Sequence, residues 1–185
     1  MSPDKDGRRR VVIEGVTPQV DCGRFPVKRV VGDQVEVRAD VFADGHEVVA
    51  AAIRFRHERD RRWREARMQP LGNDRFAGRF PVERLGCYRF SVTGWIDRFA
   101  GWRDQLERRV TAGQDVRGEL EEGARLVDAA ASSASEPAAA ELAGWSALLR
   151  GAEQGPAAAA ALADELAGLR DGPRRPAPGA VRRVV

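Results

Sequence analysis

Along the first hundred residues, apolar side chains return at every second position; beyond them they return at every third or fourth. From Gln34 to Phe42 the alternation is clean, with Val35, Val37, Ala39 and Val41 on one side and Gln34, Glu36, Arg38 and Asp40 on the other. Asp44-Gly45-His46 turns the chain, and Val49, Ala51, Ile53 and Phe55 resume the pattern with Arg54 and Arg56 facing outward. Before this hairpin, Val11, Val12 and Ile13 open a strand that ends or bulges near Gly15 and Pro18. After it, Trp63 to Gln69 reads as a shorter strand, Pro70 to Asp74 as a turn, and Phe76, Gly78 and Phe80 as the next strand. A last strand puts Tyr88, Phe90, Val92 and Ile96 on one side and Arg89, Ser91, Thr93 and Trp95 on the other, half-buried with Trp95 outward. Six or seven strands at roughly ten-residue spacing predict a small antiparallel sandwich of immunoglobulin-like type.

The stretch Cys87–Trp102 is where the period changes. Beyond it, Asp104–Val110 reads as a short helix or a strand extension, and Val116, Leu120, Ala124 and Val127 share one helix face weakened by Gly118 and Gly123. Ser135-Glu136-Pro137 starts another helix, carrying Leu142, Trp145, Leu148 and Leu149; Pro156 starts a third, with Leu162, Leu166 and Leu169. The expected fold class is therefore mainly β plus α: an immunoglobulin-like antiparallel β-sandwich followed by a small helical hairpin or bundle. The expected segments are a disordered N-terminus at 1–9, the sandwich at 10–103, the helices at 104–170 and a disordered Pro/Arg tail at 171–185. Between the first two strands, Val20–Asp33 is too long for a tight hairpin and holds Pro26, so it predicts an ordered connection presenting Arg24, Lys28 and Arg29.

Composition changes this picture little. With 31 basic and 28 acidic residues, interleaved as in His57-Glu58-Arg59-Asp60-Arg61-Arg62, the chain lacks the one-signed stripe of a nucleic-acid surface. No apolar run approaches the ~20 residues that span a bilayer, and the N-terminus has no signal-peptide h-region, so a cytoplasmic location is expected. Cys22 and Cys87 have no metal or redox spacing and read as two buried, reduced thiols.

Residues that could carry chemistry are few. His46 and His57 lie on or beside hairpin turns without ligand spacing, and neither a nucleophile elbow nor a phosphate-cradling glycine loop occurs. No catalytic, cofactor or metal residue is therefore expected. Glu119, Glu121 and Glu122 read as a solvated helix face. Trp63, Trp95 and Trp102 are the more informative side chains, since an exposed tryptophan on a sandwich stacks on sugar rings or anchors an interface.

The segments V-D-C-G-R-F-P-V-K-R-V-V-G-D, V-E-V-R-A-D-V-F-A-D-G-H-E, M-Q-P-L-G-N-D-R-F-A-G-R-F and Y-R-F-S-V-T-G-W-I-D-R-F-A-G-W-R-D, followed by A-G-Q-D-V, resemble the N-terminal region of bacterial alpha-1,4-glucan:maltose-1-phosphate maltosyltransferase, collinearly from about Arg10 to Val127. The helical stretch to Arg170 matches only in character. The resemblance implies an immunoglobulin-like domain with a helical insertion ahead of an amylase-type barrel. That family moves maltosyl units from maltose 1-phosphate onto α-1,4-glucans with retention, using two barrel carboxylates. A barrel takes about 250 residues. None fits within this chain, so no catalytic residue is carried over.

The resemblance further implies a segment that rejoins the sandwich after the helices. Its loss to the Pro/Arg tail would leave an open sheet edge, which predicts self-association. The expected role is a non-catalytic module for subunit contact and support of glucan binding, partnered by a second copy or a maltosyltransferase catalytic domain, with α-glucan as a possible ligand. Arg24, Lys28, Arg29, Trp95, Asp97 and Trp102 are the candidate interface or glucan contacts. The alternatives are a stand-alone carbohydrate-binding sandwich using Trp95 and Trp102, and an Arg-rich RNA-binding protein.

Overall fold

The computed structural model describes residues 11–151 and 181–184, which fall in two compact units divided after Ile96. In the first unit the strands are β1 (Val11–Thr17), β2 (Gln34–Ala43), β3 (Val49–His57), β4 (Arg64–Gly72), β5 (Arg75–Pro81), β6 (Tyr88–Ile96) and β7 (Val181–Val184). All pairings are antiparallel, in the order β1-β2-β5-β4-β3-β6-β7. The chain of pairings folds over at β4. Its first half, Arg64–Met68, pairs with β3, whereas Gln69, Pro70 and Gly72 pair with β5. Two layers result, and their order is compatible with the two sheets of an immunoglobulin constant-type sandwich.

The alternating apolar positions fill the space between the layers. Val35, Val37, Ala39 and Val41 from β2 meet Ala51, Ile53 and Phe55 from β3, with Val16, Met68, Phe76, Phe80 and Val92 in the same buried cluster. Phe55 and Phe80 stack with ring centroids 4.7 Å apart. Gly78 and Gly94 are required by this packing: a Cβ on Gly78 would lie 2.8 Å from Ile53 Cδ1, and one on Gly94 2.6 Å from Val41 Cγ1. The bulge expected near Gly15 is present, as a register shift between Glu14 and Thr17 with Gly15 at φ +57°.

One end of the sandwich is closed by a knot of polar contacts around the β5–β6 connection. The Tyr88 hydroxyl accepts from the backbone N–H groups of Glu83 (3.0 Å) and Arg84 (3.2 Å), just upstream of the strand it begins. A tyrosine at this place, bonding back to the preceding backbone, is the tyrosine corner of immunoglobulin-like sandwiches. His57 sits beneath it, 1% exposed and edge-on to the Tyr88 ring at 5.1 Å. Its Nδ1 accepts from Arg59 N–H at 3.2 Å, which leaves Nε2–H to donate to Leu85 O at 3.0 Å. Arg84 pairs with Asp60 and Arg64 with Glu83, joining this connection to the β3–β4 hairpin.

The second unit holds α1 (Arg98–Thr111), α2 (Arg117–Ala131) and α3 (Ala138–Gly151). Phe99, Trp102 and Leu106 from α1, Val116 and Leu120, Ala124 and Val127 from α2, and Leu149 from α3 form its core. Arg150 links α3 to α2, reaching Glu121 at 3.1 Å and Asp128 at 2.7 Å.

Several expectations need correction. The helical unit begins at Asp97, not at 104, because Asp97 accepts from Ala100 N–H and caps α1 inside the stretch read as the end of a strand. β6 is half-buried only toward its ends: Ser91 and Thr93, assigned outward, are 4% and 1% exposed, so its middle is covered on both faces. The tail expected to be disordered contributes β7, whose Val181–Val184 pair with Gly94–Ser91, so a strand does rejoin the sandwich after the helices, beside β6. Both cysteines are exposed rather than buried, Cys22 in a short 3-10 turn at φ +55° and Cys87 just before β6. β4 runs three residues beyond its expected end at Gln69, with Asn73 and Asp74 supplying the positive φ values of a tight hairpin. The helix expected from Pro156 lies outside the described residues.

Tyr88→Phe should remove the shared acceptor from two backbone donors and lower stability by about 1–2 kcal/mol in chemical denaturation, without loss of the fold.

Candidate functional site

The six candidate residues lie on the β1–β2 connection, on β6 and at or in α1. Arg24, Lys28 and Arg29 lie on the β1–β2 connection, all exposed. There the chain makes a turn through Asp21 (φ +49°) and Cys22 (φ +55°), held by a bridge between Val20 and Phe25 and by Arg24 N–H to Asp21 O at 3.0 Å. The far end is fixed by Gly32 N–H to Val82 O at 2.8 Å and Val82 N–H to Asp33 O at 2.9 Å. Between these anchors an unusual number of apolar side chains face solvent: Phe25 at 54%, Val30 at 70%, and Val20 and Val31 somewhat less. The Arg24 guanidinium lies 5.6 Å over the Phe25 ring, and Arg29 donates to Lys28 O. An ordered loop with apolar and basic side chains outward has the makings of a contact surface.

The tryptophans divide. Trp95 on β6 is half-buried and stands opposite Ala50. Trp102 is 4% exposed, and its Nε1–H donates to Glu119 O at 2.5 Å. It cannot stack on a sugar ring; it is the centre of the helical core. Its indole lies against Gly123, where a Cβ would come within 2.1 Å of Trp102 Cζ2. The glycine that weakens α2 by propensity is therefore the one that admits the tryptophan. Asp97 is the N-cap of α1.

A different cluster was only half visible in the sequence. Trp63, just before β4, carries the guanidiniums of Arg54 at 5.6 Å and Arg56 at 4.9 Å over its ring. Arg89 stands directly across the ladder from Arg56. The alternation placed both β3 arginines outward. The register of the β3–β4 hairpin, which alone says that Trp63 lies beside them, has no signal in the sequence.

The carboxylates are those of a structural surface. Arg79 and Arg38 hold Glu36 below the ordinary carboxylate range, Arg84 does so for Asp60, Arg64 for Glu83, Arg125 and Arg150 for Glu121, and Ser146 and Arg150 for Asp128. Arg117 holds Asp115 at about 2. A general acid needs the opposite shift. Among the described residues, no group of three His, Cys, Asp or Glu is placed to hold a metal. No helix among them is long and apolar enough to cross a membrane.

Residues 9–177 match the family model described as alpha-1,4-glucan:maltose-1-phosphate maltosyltransferase, domain N/S. The chain is similar to the alpha-1,4-glucan:maltose-1-phosphate maltosyltransferase of Myxococcus xanthus, 46% identical over 165 residues that make up 85% of this chain and 25% of that protein. It is also similar to that of Chlorobaculum tepidum, 40% identical over 171 residues, 92% of this chain and 26% of that protein. The chain thus spans about a quarter of the length of these relatives.

Two predictions come from this geometry. Gly123→Ala should displace Trp102 and, despite the better helix propensity of alanine, destabilise the helical unit by about 1–3 kcal/mol, read as a lower unfolding midpoint. Every shifted carboxyl titrates lower in the folded than in the unfolded chain, so its contribution is present above the unfolded value near pH 4 and is lost as pH falls through the folded one. Thermal midpoints should therefore fall as pH drops below about 4, with Asp115 the last of these carboxyls to protonate, at about 2.

Proposed function

Because the chain belongs to the alpha-1,4-glucan:maltose-1-phosphate maltosyltransferase family, matching its N/S domain over residues 9–177, we propose that it acts as the N-terminal, non-catalytic module of an enzyme that extends α-1,4-glucan chains from maltose 1-phosphate. The observation that carries this reading is the match itself, to the domain N/S of relatives about four times as long. The carboxylate chemistry of the described residues agrees with it, since among them each perturbed acid is lowered by an arginine or a serine and none is raised toward neutrality.

The module's task is contact and support. Phe25, Val30 and Val31 with Arg24, Lys28 and Arg29 form its contact surface toward a maltosyltransferase catalytic domain or a second copy. Of the candidate pair Trp95 and Trp102, Trp95 remains for a glucan, since Trp102 is enclosed. This burial disfavours a stand-alone carbohydrate-binding sandwich built on the tryptophan pair. A cytoplasmic setting accompanies the proposal.

In native gels containing glycogen, the chain should migrate as it does without glycogen. Retardation that Trp95→Ala abolishes would replace this reading with the carbohydrate-binding one. Light scattering after size exclusion should show a self-associated fraction at micromolar concentration that falls in the Phe25→Ser, Val30→Ser double variant at unchanged thermal midpoint. A clean monomer in both, and no association with a family catalytic domain, would remove the contact role.

A further inference from the structure

The outer face of the β4–β3–β6 sheet collects positive charge that the outer face of the other sheet does not. On the outer face of the other sheet each basic group is answered: Glu36 takes Arg38 and Arg79, and Asp40 takes Arg75. Between α2 and α3, Arg150 lies between two acids. Arg54, Arg56 and Arg89 differ, since no carboxylate of the described residues is paired with any of them. Glu65, which faces Arg54 across the β3–β4 ladder, is the acid that register brings nearest.

Arg56 and Arg89 are directly opposed in the β3–β6 register, so their Cβ atoms lie about 5 Å apart, where like charges destabilise a sheet. Arg54 is two residues along the same strand, about 7 Å away. The Arg56 Nε is buried without a partner, although the residue as a whole is only partly covered. Trp63 holds Arg54 and Arg56 over its ring, and a guanidinium held by an aromatic face keeps its full charge and donors for an anion.

We propose that Arg54, Arg56 and Arg89, positioned by Trp63, form a binding site for a phosphate monoester carried by a small molecule. Three monocations on neighbouring positions of one sheet face suit a compact dianion with three acceptor oxygens, each able to take a charge-assisted hydrogen bond. A single carboxylate would satisfy one guanidinium fork and leave the repulsion between Arg56 and Arg89 standing. Because both ring-facing arginines already cover Trp63, the ligand's determinant is its phosphate, and the group that carries it makes the smaller contribution. The site does not depend on the maltosyltransferase reading and stands or falls separately from it.

The test is calorimetric titration of the whole chain at low ionic strength with inorganic phosphate and with glucose 1-phosphate, followed by 31P line broadening. Both should bind saturably, and the R56Q and R89Q variants should each weaken them about tenfold or more. Arg117→Gln, an exposed arginine paired locally with Asp115, should leave binding unchanged. Arg89→Glu separates binding from folding: it places opposite charges across the ladder, so its thermal midpoint should hold or rise while binding is lost. Trp63→Leu should weaken binding at retained secondary structure, because the guanidiniums lose their support. Equal affinity in R56Q and R89Q, equal heats from acetate, or capture of an acidic or phosphorylated peptide by a chain that ignores both small phosphates would each overturn the proposal.

Discussion

The nine-residue ladder between β3 and β6, Val49–His57 against Tyr88–Ile96, is the constraint on which the rest of the sandwich depends. It joins segments about forty residues apart, so its closure fixes everything strung between them. At one end it brings His57 under Tyr88 and so forms the corner that fastens the β5–β6 connection. In its middle it sets Ile53 against Val92 and gives the core its floor. At its other end it delivers the chain, at Asp97, to the first helix. A shift of one residue in this ladder would turn Phe55 outward and Arg54 into the core, an exchange that burial of an unpaired charge forbids.

The period-2 alternation made the strands and most of the core legible, since Val35, Val37, Ala39, Val41, Ile53 and Phe55 are all buried where it put them. What it could not reveal was partnership. The exchange of β4 from β3 to β5 after Met68 is a matter of hydrogen-bond register, and nothing in R-E-A-R-M-Q-P-L-G marks it. Ser91 and Thr93 are buried in the middle of β6, a circumstance that their own polarity conceals. The four residues of β7 are too few for a periodicity and follow a Pro/Arg run that by composition should not order. Of the candidate site, exposure of Arg24, Lys28 and Arg29 was legible, whereas Trp102 was misplaced: Asp97, with α1 beginning one residue later, already carried the helix-start signal that would have moved it from a strand end to a helix interior.

Many of the described arginines are matched to an acid, and the pairs are local or cross-strand: Arg38 and Arg79 on Glu36, Arg84 on Asp60, Arg125 on Glu121. Individually such exposed pairs contribute little to stability. Their effect is to neutralise the outer face of one sheet, whereas beside Trp63 and on the β1–β2 connection basic side chains stand with aromatic rings.

β7 returns to pair with β6 only after the chain has built a helical unit of its own between Ile96 and Val181. Two strands that are neighbours in the sheet are thus separated in the chain by an entire folding unit. The entropy of closing such an excursion grows only logarithmically, about 0.6 kcal/mol for each doubling of its length. Once the ends are anchored, the sandwich is nearly indifferent to what is strung between them. The gap between these two strands is therefore a socket, one at which helical units of different length and surface could be exchanged during evolution while the sheet order that receives them stays the same.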